Sequence, residues 1–396
     1  MVFSNKKLFQ LTSILRQNLN QLQTYLRFRF VFILMILSIF GLRLESQNIK
    51  TKKTSTKTTT NSKEPSSKIK SAPLFDSDEV LELKLTTNFK SLLKDRTATD
   101  PPYHWAKLEY DKDTDTHVSL NLRIKIRGNF RKSSANCKFP PILLNFSDKK
   151  SKNTLFENQN HLKLVTHCRD EDYVYREYLV YKLYNLLTEY SLKSRLLKVT
   201  YIDSLNKRDE ETLDAFILED EEAVANRTST KNIKLQKIPA DAIDTFNMAT
   251  LSVFEYMIGN TDWSLAYLHN IKVYGKQGER LKAMPYDFDH SGIVDANYAK
   301  PEAMLGIRTV RDRLYRGMTF PNSIMLRVFQ QFRDKKTDFY SLYQNDTKLD
   351  EAYIKKTIKY LDEFYATIED PKSLEKIFIA GGGRDETKNV IIKGLK

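Results

Sequence analysis

In the first half of this chain, hydrophobic residues gather in short strand-like runs, and one of them alternates strictly with polar positions. In HVSLNLRIKIRG (117–128), Val118, Leu120, Leu122, Ile124 and Ile126 fall at every second position, the pattern of a strand with one buried face. FPPILLNF (139–146) reads as a second strand after a Pro-Pro break, and HLKLVTH (161–167) as a third; RLLKVTYID (195–203) and DAFILED (214–220) are two more strand-like runs. Between them, YVYREYLVYKLYNLLTEY (173–190) spaces Leu179, Leu183, Leu186 and Leu187 as a helix does. Residues 76–220 therefore read as a sheet of about five strands with one central helix.

The period changes in the second half. DAIDTFNMATLSVFEYMI (241–258) reads as a helix. A loop, GNTDWSLAYLHN, leads into two strand-like runs, NIKVYG and RLKAMPYDFD, around a Gly275–Gly278 turn. SIMLRVFQQFRDKKTDFYSLY and EAYIKKTIKYLDEFYATI then return to helical spacing. With 22 Phe and 21 Tyr, and only 12 Gly and 11 Pro, the chain has apolar surface for a large core and is neither fibrous nor mostly disordered.

The N-terminal residues differ in kind. FVFILMILSIFGL (30–42) is an almost unbroken apolar run behind Arg27 and Arg29. As a helix it would be roughly 20 Å long at about 1.5 Å per residue, short of the roughly 30 Å hydrocarbon core of a bilayer. It reads as the h-region of an export signal, with an uncleaved membrane anchor as the alternative; residues 1–46 form this segment. Residues 47–74, rich in Ser, Thr and Lys, read as a linker. The charge follows the same division. Residues 1–75 hold 13 Lys and Arg against two acids, a net +11, so the chain's +14 leaves +3 for residues 76–396. A nearly balanced body argues against a nucleic-acid partner and assigns the basic excess to export or to anionic surfaces. Cys137 and Cys168, 31 positions apart, are a disulfide in an exported chain or else two buried thiols.

The candidate chemistry gathers around the expected hairpin. Asp262 precedes it, Asn270 opens it, and PYDFDHSG (285–292) closes it with Asp287 and Asp289. A short hairpin returns its ends to the same place, so these four residues come within reach of one another. Converging acidic oxygens repel unless a cation lies among them, and carboxylate plus amide oxygens suit magnesium. Phosphoryl transfer uses such a set: one carboxylate orients the attacking hydroxyl, and an Asn and an Asp hold the metal on the phosphates. DFDHSG also has the start of a calcium loop, but the twelfth place that an EF-hand gives to Glu is Tyr298. A looser calcium site stays open.

Taken in order, these segments resemble the CotH family of exported, atypical protein-kinase-like phosphotransferases. The matching pieces are IKIRGNFRK, CKFPPILLNF, YREYLVYKLYN, AFILEDEEAVANR, GNTDWSLAYLHN and PYDFD, across about residues 118–292. The resemblance implies an α+β, two-lobed kinase-like fold. Residues 75–220 would be a strand-rich N-lobe with one helix, and residues 221–396 a mostly helical C-lobe. It implies ATP and Mg2+ as cofactors. Asp262 would be the catalytic Asp, and Asn270 and Asp287 the metal ligands, with Asp289 a second contact. Lys138 would meet the ATP phosphates, with Lys163 as its rival, and Glu177 would pair with that lysine. Arg127, with Gly128, would cover the phosphates; Glu219, with Asp220, would lie near the adenine. The chain has no Gly-x-Gly-x-x-Gly loop, no His-Arg-Asp and no Asp-Phe-Gly.

The expected activity is transfer of the ATP γ-phosphate to a Ser or Thr hydroxyl of a protein in the envelope or outside the cell, with membrane attachment through residues 30–42 if the anchor is kept. The alternatives are a non-catalytic scaffold, calcium-stabilised and bound to a surface partner, and a kinase for a small molecule or polysaccharide.

Overall fold

The computed structural model describes residues 73–112, 115–234 and 238–380. The expected signal or anchor segment lies outside them, as does the expected linker but for Pro73 and Leu74. Leu74 is fully buried against the first core. Among the described residues no helix is long and apolar enough to cross a membrane.

The expected two-lobed kinase-like fold is not what forms. Seven strands close into a mixed barrel in the order β1-β2-β3-β4-β5-β7-β6. They are β1 (Leu81–Thr87), β2 (His104–Asp111), β3 (His117–Ile126), β4 (Ile142–Asn145), β5 (His161–Val165), β6 (Ser194–Asp203) and β7 (Glu211–Leu218). Five of these, β3 to β7, match the strand-like runs of the sequence. The additional pair, β1 and β2, makes the difference. β1 is antiparallel to β2 on one side and parallel to β6 on the other, with Leu81 opposite Leu197 and Thr87 opposite Asp203. With both sides of β1 paired, no strand keeps a free edge and the sheet closes instead of lying open.

Alternation fills the barrel. Leu83 and Leu85, Leu108 and Tyr110, Leu122 and Ile124, Leu144, Leu162 and Val199 point inward into one core, while their neighbours face out. The barrel part carries more than one helix: α1 (Phe89–Lys94), a single turn at Asp148–Ser151, and α2 (Glu171–Asn185). Asp170 caps α2, its side chain accepting the N–H of Asp172. α2 lies against the outside of β6 and β7, where Phe216 meets Tyr181 and Tyr178 at ring separations of 5.6 and 6.1 Å. Cys137 and Cys168 form a disulfide, their Cα atoms 4.5 Å apart. It ties the loop after β3 to the loop after β5.

A second core joins that outer barrel face to the helices α3 (Glu221–Arg227), α4 (Thr245–Ile258), α5 (Asn322–Asp334), α6 (Lys336–Gln344) and α7 (Glu351–Glu369). A three-stranded sheet, β10-β9-β8, belongs to it: β8 (Lys231–Asn232), β9 (Ile271–Gly275) and β10 (Lys282–Pro285).

Candidate functional site

The site is built where α4 ends. Asp244 caps its start, accepting the N–H of Asn247 at 2.8 Å. Gly259 stops it with a φ of 70°, and a Cβ there would lie 2.1 Å from the Tyr360 hydroxyl, so only glycine fits. The chain then turns tightly. The Asn260 side-chain oxygen accepts the Asp262 N–H at 3.0 Å, and Ser264 and His269 exchange backbone hydrogen bonds of 3.0 and 2.9 Å. That small turn takes up most of the eight positions between Asp262 and Asn270. Asn270, in the left-handed region at φ 52°, reaches back: its Nδ2 donates to the Asp262 carbonyl at 2.8 Å and to Asp262 Oδ2 at 3.2 Å. His269 Nε2 lies 2.9 Å from the other carboxylate oxygen. Asp262 is thus fixed from two sides, with a third of its side chain still open.

β9 and β10 pair antiparallel with Ile271 opposite Pro285, and the Tyr286 N–H donates to the Asn270 carbonyl at 3.0 Å. This register sets Asp287 beside Asn270. Asp287 takes φ 66°, and its N–H donates to the Tyr181 hydroxyl of α2 at 2.9 Å. Half of its side-chain surface is open although protein crowds round it; this burial, with the neighbouring Asp289 charge, pushes its carboxyl up from the usual range.

The cation among the acidic side chains is Arg131. Its NH2 lies 2.5 Å from Glu177 Oε2 and 3.9 Å from Asp287 Oδ1, and its Nε is 2.7 Å from Asp289 Oδ2. Arg131, Glu177 and Asp289 are all nearly inaccessible. Burial raises Glu177 despite the guanidinium. Burial also opposes ionisation of Asp289, but Arg131 outweighs it and holds that carboxyl below its ordinary value. Glu177 therefore pairs with Arg131, not with a lysine as the resemblance implied, and Asp289 is an ion-pair partner.

A basic wall stands on the other side of Asp287. Lys163, on the outer face of β5, is 2.7 Å from Glu221 Oε1, and Lys272 of β9 is 3.3 Å from Oε2. Both ammonium groups lie 5.3 Å from the centre of the Tyr286 ring. Burial opposes the Glu221 charge, but the two lysines prevail and lower its pKa. Burial lowers Lys163, Glu221 opposes this, and the nearby Arg127 charge adds to it. Arg127 also acts on Asp287. Lys163 and Arg127 thus join the site.

Lys138 does not join them: its N–H donates to the Cys168 carbonyl at 2.8 Å, and it lines a separate cleft with His167, Arg169 and Arg208. Glu219 is buried, its carboxylate bound to Arg227 at 2.9 Å and to the Lys193 N–H at 3.1 Å. Asp220 caps α3 through the Glu222 N–H. The carboxylates of both residues hold the β7–α3 junction.

Among the described residues no three His, Cys, Asp or Glu side chains meet as a group able to hold a metal ion. The donors on offer are the Asp287 carboxylate and, with its Nδ2 turned to Asp262, the Asn270 amide oxygen. Calcium takes about six to eight oxygens, whereas magnesium is commonly held by one or two carboxylates with substrate phosphates completing its shell. The donor set fits the second case, and with Asp289 taken by Arg131 it does not fit a calcium loop. Arg131, His269, Lys272, Tyr286 and Glu221 are the members of the site that motif spacing passed over. No family model matches the chain, and no curated protein or solved structure matches it.

Proposed function

We propose that the chain is a magnesium-dependent phosphotransferase that moves the γ-phosphate of ATP to a Ser or Thr hydroxyl of a protein outside the cytoplasm. One observation carries this reading: Asp262, Asn270 and the half-open Asp287 share one end of a hairpin, with Lys163, Lys272 and Arg127 beside them. The acceptor hydroxyl would donate to Asp262, which His269 and the Asn270 amide hold in place. Lys163, Lys272 and Arg127 would meet phosphate oxygens. Bound magnesium, on Asp287 and Asn270, would offset the negative charge of the phosphates. Catalysis of this kind rests on positioning and charge more than on covalent chemistry. The Cys137–Cys168 disulfide supports an oxidising compartment. The resemblance to CotH-like phosphotransferases supports the reading through its site motifs and no longer through the fold.

The test is a pair of measurements on the purified full chain. ATP with magnesium is expected to raise the unfolding midpoint, and radiolabelled γ-phosphate to appear on casein or on the chain itself. Asp287→Ala should abolish both effects while unfolding cooperatively. No midpoint shift, or labelling that Asp287→Ala retains, overturns the proposal; a shift with calcium alone would favour a non-catalytic scaffold.

A further inference from the structure

The outer face of the barrel carries a row of side chains that ends at His161, two residues along β5 from Lys163. Trp105 of β2 lies opposite Arg123 of β3, Arg123 opposite Asn145 of β4, and Asn145 opposite His161 of β5. Directly opposed residues share a face. Their neighbours Ala106, Leu122, Leu144 and Leu162 fill the interior, so this row stands outward. Trp105 is 73 % exposed, the most open large apolar side chain among the described residues. A hollow of about 500 Å³ lies beside it, walled also by Asn121, Arg123, Asn145, Lys150 and Asn160. That volume is typical of a small-ligand site.

The wall has a consistent chemistry. The indole offers a flat apolar face with a donor at its edge. Of its three carboxamides, those of Asn121 and Asn160 can each donate and accept, and Asn145, whose Nδ2 lies 2.6 Å from His161 Nε2, keeps its oxygen as an acceptor, which suits neighbouring hydroxyl groups. Two cations complete it, and among the described residues neither Arg123 nor Lys150 has a carboxylate partner. Nearby acids are already engaged: Glu109 with Lys107 and His117, and Asp100 with Lys125. Arg123 rests against the Tyr103 ring, 5.2 Å from its centre, which limits its freedom without neutralising it.

We infer that this hollow binds an acidic polysaccharide, one whose sugar rings carry carboxylate or sulfate. Trp105 packs against a ring, the amides of Asn121, Asn145 and Asn160 meet its hydroxyls, and Arg123 and Lys150 meet its acid groups. Single-stranded nucleic acid also combines stacking with anionic charge, but it needs successive aromatic platforms along a basic groove. Here one open aromatic ring stands among amides, on a body whose residues 76–396 carry only +3. The inference is independent of phosphotransfer at Asp262 and Asp287.

The experiment is affinity electrophoresis of the full chain through gels containing alginate, a polyuronate, or neutral dextran, with a titration against single-stranded poly-dT beside it. Residues 1–75 carry +11 and would hold any polyanion, so the readout is the difference between the parent and variants that share that segment, at about 0.15 M salt. Trp105→Ala is expected to weaken retention by alginate about tenfold, and Arg123→Gln about fivefold, with unfolding midpoints unchanged because both side chains lie on the surface. Equal retention of parent and Trp105→Ala overturns the inference. So does a loss of retention on Trp105→Ala that is as large in dextran as in alginate, or Trp105-dependent binding that is tighter for poly-dT.

Discussion

Two charge clusters flank Asp287, and they are organised in opposite ways. On one side, Arg131, Glu177 and Asp289 are closed off from solvent and satisfy one another. On the other, Lys163, Lys272 and Glu221 are partly open, with two cations sharing one carboxylate. A closed cluster of this kind fixes relative position: Arg131 joins the loop after β3 to helix α2 and to the segment after β10. An open cluster with surplus positive charge has capacity left for an anion. Burial together with satisfied partners marks the structural cluster, and partial exposure with incomplete neutralisation marks the one with charge left over.

The sharpest way to break the contrast is Arg131→Met. It leaves Glu177 and Asp289 buried without their counter-charge, and removing one partner of a buried ion pair costs about 3–5 kcal/mol. Urea unfolding should show a loss of that size, and a loss under about 1 kcal/mol would mean that the cluster is not closed. Asp262→Asn acts outside that cluster. It should lower phosphate transfer about 100-fold or more, near 2.7 kcal/mol in barrier, while changing urea stability little because the side chain is partly open. An equal loss of stability would make Asp262 structural.

His167 offers a third case, a buried titratable group with no neutralising cluster. It is 9 % exposed, and burial depresses its pKa to about 4. Unfolded His protonates near pH 6.5, so between about 6.5 and 4 the unfolded state binds more protons. Stability is full above that window and should fall by about 1–2 kcal/mol on going down to pH 5. His167→Gln should flatten this acid limb, as followed by unfolding at several pH values. The smallest effect belongs to Lys163→Met, expected to raise the KM for ATP about fivefold with kcat nearly unchanged and to reduce the salt dependence of KM. A KM that stays at the parent value would remove Lys163 from the phosphate wall.

Much of the strand content was legible in the sequence, because β3 alternates clearly and β4 to β7 are short apolar runs rich in branched and aromatic residues. LELKLTT at 81–87 alternates too, with Leu81, Leu83 and Leu85 separated by Glu82 and Lys84, and counting it would have supplied β1. Its parallel pairing with β6 is a different matter: periodicity says which face is buried and nothing about which distant strand will be the neighbour. The local part of the site was equally readable, since the hairpin alone brings Asp262, Asn270 and Asp287 together. Arg131 was visible in GNFRK, but its partner Asp289 is 158 positions away, beyond any local spacing rule. The choice between Lys138 and Lys163 turned on the same limit. A motif favoured the first, whereas the register of β5 against β4 and β7 sets the second beside Glu221 and Tyr286.

The closing of the barrel has a consequence for how the chain reaches this state. Leu81 finds its parallel partner in Leu197, on the far side of β2, β3, β4 and β5. A chain emerging N-terminus first, from a ribosome or through an export channel, must keep β1 unmatched along one side until β6 arrives. Until then its backbone donors and acceptors form a sticky edge, and non-local pairing of this kind slows folding. The stave made first is the one locked last, and the interval between is when this protein is most exposed to aggregation and most in need of a chaperone.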